Sequence, residues 1–312
     1  MKKRNIYYLL LISLFVISCG SDFNYKGDFN EGLAAAELND KWGFVNKKGE
    51  TVIPFKYDYA LDFSEGLANV FIGKLNEKGS PKEGKWGFVN KKGEEVVAVI
   101  YDDYAVFSEG LAAIKLNGKW GFIDKKGKEI IPFKYDDAYS PYERLANVFI
   151  GEIDENGIAV KGKWGYINKE GKEVIAFKYD HAQCFSEGLA AVYINGKFIF
   201  INKEDEEIIA IKYDFADIFS EGLAAVNLYN KYGFINKEGK EVIKLKYDDA
   251  NSFAEGLAAV KLNDKWGYIN KESKEIIPLK YDNVRNFKNG KAVVKLNGDW
   301  FYINTKGERI EY

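Results

Sequence analysis

The sequence predicts an all-β fold built from eight short repeats, and three observations predict it. Aromatic residues make up 16% of the chain, with Tyr 21 and Phe 22, and aromatic side chains suit half-buried pleated surfaces. No stretch repeats apolar residues at the 3.6-residue spacing of a long helix. One slot returns eight times, as Trp42, Trp86, Trp120, Trp164, Phe198, Tyr232, Trp266 and Trp300, at spacings of 44, 34, 44, 34, 34, 34 and 34 residues. The period is therefore 34 residues, with a ten-residue insertion in two copies. A chain of 312 residues, 46% apolar, can bury its surface as such an array instead of as two unrelated domains.

The first element is not part of the array. Met1-Lys2-Lys3-Arg4 precedes an apolar run from Ile6 to Ile17. That run is shorter than the roughly 20 residues a helix needs to cross about 30 Å of hydrocarbon, so it reads as a signal peptide over residues 1–18. The following Val16-Ile17-Ser18-Cys19-Gly20 resembles the lipobox of bacterial lipoproteins. The resemblance implies that Cys19 is acylated and becomes the mature N-terminus, that residues 19–28 form a tether, and that lipid holds the protein to a membrane in the cell envelope. Gly20, where an Asp would retain such a lipoprotein in the inner membrane, points to the outer membrane, with its periplasmic and surface faces both open.

The array then runs over residues 29–312. Within one copy, Leu111 to Leu116 and Trp120 to Ile123 flank Asn117-Gly118, a hairpin signal because a type I′ turn needs positive φ at both central residues. Strands A and B follow, with Lys115 opposite Trp120 and Ile114 opposite Gly121. The glycine leaves room for a neighbour to approach. Asp124-Lys125-Lys126-Gly127 has the pattern of a type I turn closed by a G1 bulge. Strand C comes next. Pro54, Pro132 and Pro278 share one of its positions, which makes C an edge or a bend. A Tyr-Asp turn, as at Tyr135-Asp136, leads to the next Glu-Gly-Leu. Each unit is expected to be a three-stranded meander.

The Lys-Trp-Gly-(Phe/Tyr)-(Ile/Val)-Asn segments, such as Lys41-Trp42-Gly43-Phe44-Val45-Asn46, resemble the signature of the WG-repeat (KWG-repeat) family. The likeness extends from about Phe29 to Tyr312. It departs at Ile199 and Phe301, which replace the glycine, and at Asn289-Gly290-Lys291, which replaces Glu-Gly-Leu. The length of the unit favours an open coiled array over a closed propeller-like ring, since propeller blades commonly take about 40 to 45 residues. A closing argument stands against it: the last copy stops short of its Tyr-Asp turn, and Phe23 to Phe29 supplies a partial equivalent before copy one.

Composition narrows function. Lys+Arg 45 against Asp+Glu 47 lacks the basic footprint of nucleic-acid binding, and loss of the three basic residues of the leader leaves a net charge of -5. With one His and, after processing, one remaining cysteine, Cys184, the expectation is no enzyme, no metal site and no cofactor. The Tyr-Asp carboxylates lack an Asp-x-Asp-x-Asp-Gly loop and read as Asx turns. His181 reads as a loop residue, and the Lys-rich turns as solvated loops.

What remains is non-catalytic binding or scaffolding, with a protein partner, or alternatively a glycan stacked on aromatic platforms. Insertions into one slot of a repeat emerge on one face. Both long copies share Leu-Ala-Asn-Val-Phe-Ile-Gly and should lengthen the A–B hairpin by roughly 17 Å, at five residues per arm and about 3.3 Å each. Phe71, Ile72 and Lys74 in copy two, and Phe149, Ile150 and Glu152 in copy four, are the candidate ligand contacts.

Overall fold

The computed structural model describes residues 23–310, apart from 105 and 155–158. Cys19, the leader and the first residues of the tether lie outside the described residues. The all-β, eight-repeat reading holds: the described chain forms eight four-stranded antiparallel sheets, arranged as the blades of a β-propeller. In blade 3 the strands are a leading strand (Asp103–Tyr104), A (Leu111–Leu116), B (Lys119–Asp124) and C (Glu129–Tyr135), in spatial order. The A–B register is the expected one, with Lys115 opposite Trp120 and Ile114 opposite Gly121.

Two expectations change. The meander has a fourth strand, because the two residues after Tyr101-Asp102 stay extended and pair with A, Asp103 with Lys115 and Tyr104 with Ile114. Two residues are too few to show a period-2 signal in sequence. The array is also a ring and not an open coil. Lys291 Nζ of blade 8 lies 3.0 Å from Asp28 Oδ1 of blade 1, across 263 residues of chain. The added strand widens each unit to the four-stranded blade that a propeller uses.

The glycine of the Trp-Gly pair is explained by strand C. Between Trp120↔Tyr135 and Phe122↔Ile131 the register slips, so C carries two extra residues, including Pro132, and bends across B. A Cβ on Gly121 would lie 2.8 Å from the Ile131 carbonyl oxygen and 2.9 Å from Phe133 N. Strand C is the outer edge, where a proline removes no ladder hydrogen bond.

No blade buries its own two faces. The apolar clusters lie between consecutive blades: Leu67, Phe88, Val97 and Tyr101 of blade 2 pack with Phe107, Ala112, Ile114 and Ile123 of blade 3. Trp120, Phe122 and Tyr135 of blade 3 pack with Ala138, Ala146 and Val148 of blade 4. At the start of the ring, Phe23 and Phe29 pack on Ala34, Ala36 and Val45.

Two polar clamps recur between consecutive blades. The first starts at the Glu-Gly turn. Glu187 and Gly188 both have positive φ, 55° and 88°, as a two-residue turn demands. Asn would fit that conformation more comfortably, but the Glu carboxylate reaches the following blade, where it accepts Gly222 N–H and pairs with Lys237 at 3.0 Å. Glu31, Glu65, Glu143 and Glu221 repeat the arrangement on Lys91, Lys125, Lys203 and Lys271. These lysines are therefore clamp members and not merely solvated loop residues.

The second clamp uses the Tyr-Asp carboxylate. Asp248 takes Lys231 Nζ at 2.7 Å from its own blade and Asn263 N–H at 2.8 Å from the next. Asp58 does the same with Lys41 and Gly73, and Asp102 with Lys85 and Gly118. The expected Asx turn is thus replaced by a bridge that holds the next hairpin. The seam between blades 8 and 1 has other residues in these places: Asn289 stands in the Glu position, Asp299 in the Lys position, and Asn24, whose N–H meets Glu37 O, in the Asp position. Blade 8 departs further, since Trp300 is 50% exposed.

Burial alone would raise the Glu187 carboxyl, but the Lys237 ammonium and the Gly222 N–H outweigh it and hold the group below its ordinary 4.5. A depressed carboxyl contributes stability above its unfolded value and loses it as pH falls through the folded one. The melting temperature of Glu187→Gln should therefore lie below that of the parent at pH 7, and the gap should close as pH is lowered through 4. A gap that persists at pH 3 would show that the clamp acts without its charge.

Candidate functional site

The two long hairpins belong to blades 2 and 4 and flank the short hairpin of blade 3. In blade 2, strand A runs Leu67–Leu75 and B runs Pro81–Asn90, with Gly73↔Gly84, Lys74↔Glu83 and Leu75↔Pro81 added beyond the usual register. Three added pairs give about 10 Å of paired arm, shorter than expected, because the remaining inserted residues make a turn. Asn76 Oδ1 accepts Lys78 N–H and Ser80 N–H there. Blade 4 repeats the pattern with Gly151↔Gly162 and Glu152↔Lys161.

The shared Phe explains why both arms carry a Gly pair. Phe71 and Phe149 are 2% and 1% exposed, and each ring lies under the glycines: a Cβ on Gly84 or Gly162 would meet the ring tip at 2.5 or 2.6 Å. The rings also pack on Trp86 and Trp164, with centroids 5.0 and 5.3 Å away. Phe71 and Phe149 are therefore supports for the arms, and their place among the candidate contacts is corrected. Ile72 and Ile150 face solvent at 51% and 48%. Lys74 pairs with Glu83 at 3.0 Å and Glu152 with Lys161 at 3.7 Å, all four side chains well exposed. Sequence alone could not tell the buried Phe from its exposed neighbour, since both lie beside the turn.

Beside the arms, aromatic rings interleave from blade to blade. Trp42, Tyr59, Trp86 and Tyr104 stand 4.9, 6.3 and 4.0 Å apart in succession. A second run passes Tyr139, Trp164, His181, Phe198, Phe215 and Tyr232. His181 is thus on a short strand between two rings and not on a loop, and loss of solvation there lowers its pKa. Trp42, Trp86, Trp120 and Trp164 are all under 10% exposed, so these four offer no flat indole face for a sugar, whereas Trp300 is 50% exposed. Cys184 is half-buried, and burial pushes its thiol up.

The two runs break around Trp120, where Asp103 and Asp137 occupy the position that holds Tyr59 and His181 elsewhere. Lys115 Nζ sits 6.0 Å from the Trp120 ring centroid between them in register. Loss of solvation raises both carboxyls, and each is further raised by a neighbouring carboxylate.

The blade 2 arm roofs two adjoining clefts. One, of about 420 Å³, is lined by Tyr59, Phe71, Trp86, Asp103 and Tyr104 below and Ser80, Pro81 and Lys82 of the arm above. The other, of about 410 Å³, lies between Trp42, Glu37, Tyr59 and Asp62 and the arm's Lys78 to Ser80. Tyr59 and Ser80 border both.

A family model described as WG containing repeat matches eight segments, residues 22–42, 42–75, 86–120, 120–152, 164–198, 200–232, 232–266 and 266–300. No curated protein matches the chain in sequence. Among solved structures, one described as a eukaryotic initiation factor is 11% identical, with a TM-score of 0.62 over 91% of this chain and 85% of that one. BamB from Moraxella catarrhalis is 12% identical, with a TM-score of 0.45 over 93% and 87%. At these identities the likeness to the initiation factor is one of fold.

The supporting role of the buried ring has a measurable consequence. Phe149→Ala should cost about 3–5 kcal/mol in a denaturant titration, as expected for emptying a buried aromatic site, while Ile150→Ser should stay within about 0.5 kcal/mol. Equal effects would contradict the division between support and exposed face.

Proposed function

The chain belongs to the WG-repeat family, and from that premise we propose that it is a lipid-anchored, non-catalytic binding or scaffold module of the bacterial envelope whose partner is a protein. The reading rests above all on the paired arms of blades 2 and 4. They rise from the same position of their repeats, keep Ile72 and Ile150 at about half exposure, and are held by buried Phe–Gly contacts that a merely tolerated loop would not need. Rigid presentation of exposed aliphatic and charged groups lowers the ordering cost of association. The aromatic slots of blades 1 to 4, by contrast, are spent on packing between blades, which favours a protein partner over a glycan stacked along a continuous row.

Acylation of Cys19 supplies the anchor in this reading. With no basic patch beside the chain ends, lipid alone does the holding, which two or more acyl chains can do. Cys19→Ala should abolish incorporation of labelled palmitate and move the protein from the membrane to the soluble fraction. Retention in the membrane fraction would remove the anchor from the proposal.

Deletion of residues 73–82 and 151–160 returns blades 2 and 4 to the short form. The trimmed protein should keep the parent's circular dichroism and cooperative melting but lose the partners that the parent captures after cross-linking in native envelopes. Equal capture by both proteins would overturn the role of the arms.

A further inference from the structure

The cleft between the blade 2 arm and blade 3 has the makings of a site for a compact organic cation. Its accessible walls are the half-buried rings of Tyr59 and Tyr104, with Trp86, only 5% exposed, and Phe71 forming the floor behind them. Those rings are tilted: Tyr59 meets Trp86 at 83° and Trp86 meets Tyr104 at 41°. Tilted rings make a cup, not a platform. A sugar gains most from a flat exposed face, whereas a cation needs only proximity to ring faces, and gains more when it is partly desolvated.

The charge in the cup has the matching sign. Among the described residues, Asp103 accepts the N–H of Tyr104 at 2.9 Å and forms no ion pair. The neighbouring Asp102 is already held by Lys85 at 2.5 Å and by Gly118 N–H. Lys115 lies next to Asp103 in register, but its ammonium is directed to the Trp120 ring. The arm contributes Lys82 as the only cation of the lining. Asp103 is thus an exposed carboxylate beside aromatic rings that makes no ion pair among the described residues and feels Lys115 only through its field.

The second cleft repeats the theme beyond Tyr59. There Trp42 and Tyr59 supply the rings, and Glu37 and Asp62 the carboxylates, against Lys78 of the arm. Asp62 accepts Asn30 Nδ2 at 2.7 Å and is raised by loss of solvation. Two cups in series, sharing Tyr59 and Ser80, suit two cationic side chains on one extended segment better than one free amine.

We propose that the paired clefts beneath the blade 2 arm bind lysine or arginine side chains of an extended basic peptide, the first seated between Tyr59, Trp86 and Tyr104 on Asp103, the second beside Asp62. This rests on the protein-partner reading and names the chemistry of that partner. The site needs the arm, since Ser80, Pro81 and Lys82 form its roof.

The test is fluorescence anisotropy of a labelled hexa-arginine peptide, titrated with the full chain in detergent micelles at about 0.15 M salt. The parent should bind saturably. Asp103→Asn and Tyr104→Leu should each weaken binding at least about tenfold with melting unchanged, while Glu272→Gln, an equal charge change on a distant turn, should leave it within about twofold. Tetramethylammonium should compete only weakly, because it fills a single cup. The inference would be overturned by no saturable binding, by equal weakening by Glu272→Gln, or by displacement of the peptide by chitohexaose or tetramethylammonium at peptide-like concentrations. If peptide binding survives both cleft substitutions while arm trimming still abolishes partner capture, the inference falls and the scaffold reading stands.

Discussion

A blade of this protein cannot be stable alone, and the rest of the structure follows from that constraint. Each four-stranded sheet is apolar on both faces, so every face must be covered by a neighbour. Hydrophobic burial is non-directional; by itself it would let neighbouring blades slide or rotate. The clamps supply direction. The Glu carboxylate fixes where the next Glu-Gly turn sits, and the Tyr-Asp carboxylate fixes where the next A–B hairpin sits. Exposed ion pairs are individually weak, but these add backbone N–H donors in fixed geometry, so they set position more than energy. The positive φ of the Glu residues is the visible cost of that positioning.

The same constraint explains the signature residues. Lys before Trp closes on Asp, Trp and Tyr fill the interface, and Gly admits the bent strand C. Where the glycine is lost, the surroundings differ. At Phe301 the Arg309 guanidinium lies 4.7 Å from the ring centroid. At Ile199, a cleft of about 240 Å³ opens beside Tyr179 and Asp205.

Much of the fold is legible because the repeat displays each rule several times over. Asn117-Gly118 gave the hairpin and its register without any tertiary information, and the shared prolines marked strand C as the edge. What was not legible was relational. A two-residue leading strand carries no period, so the sequence displays three strands per blade and favours an open array over a ring. The clamps join residues in different copies, and the one-dimensional pattern displays Glu, Lys and Asp without saying which meets which. The site suffered in the same way. The arms were visible as insertions, but whether Phe71 lay above or below the sheet depended on the Gly73 and Gly84 pair across the hairpin. Asp103 stands in a variable position filled elsewhere by Tyr59 and His181, and its meaning comes from the arm of another blade above it.

The seam gives the ring a mechanical asymmetry. Seven junctions carry a forward Glu clamp, Glu109 on Arg144 N–H and Glu255 on Gly290 N–H completing the set, while the eighth, where both described ends of the chain lie, has the Lys291–Asp28 pair in its place and Trp300 half uncovered. Under tension between its ends the molecule would part there first and then peel blade by blade. Each released repeat of about 34 residues would lengthen the chain by roughly 12 nm, so a tethered molecule of this kind would yield to load in regular steps instead of failing at once.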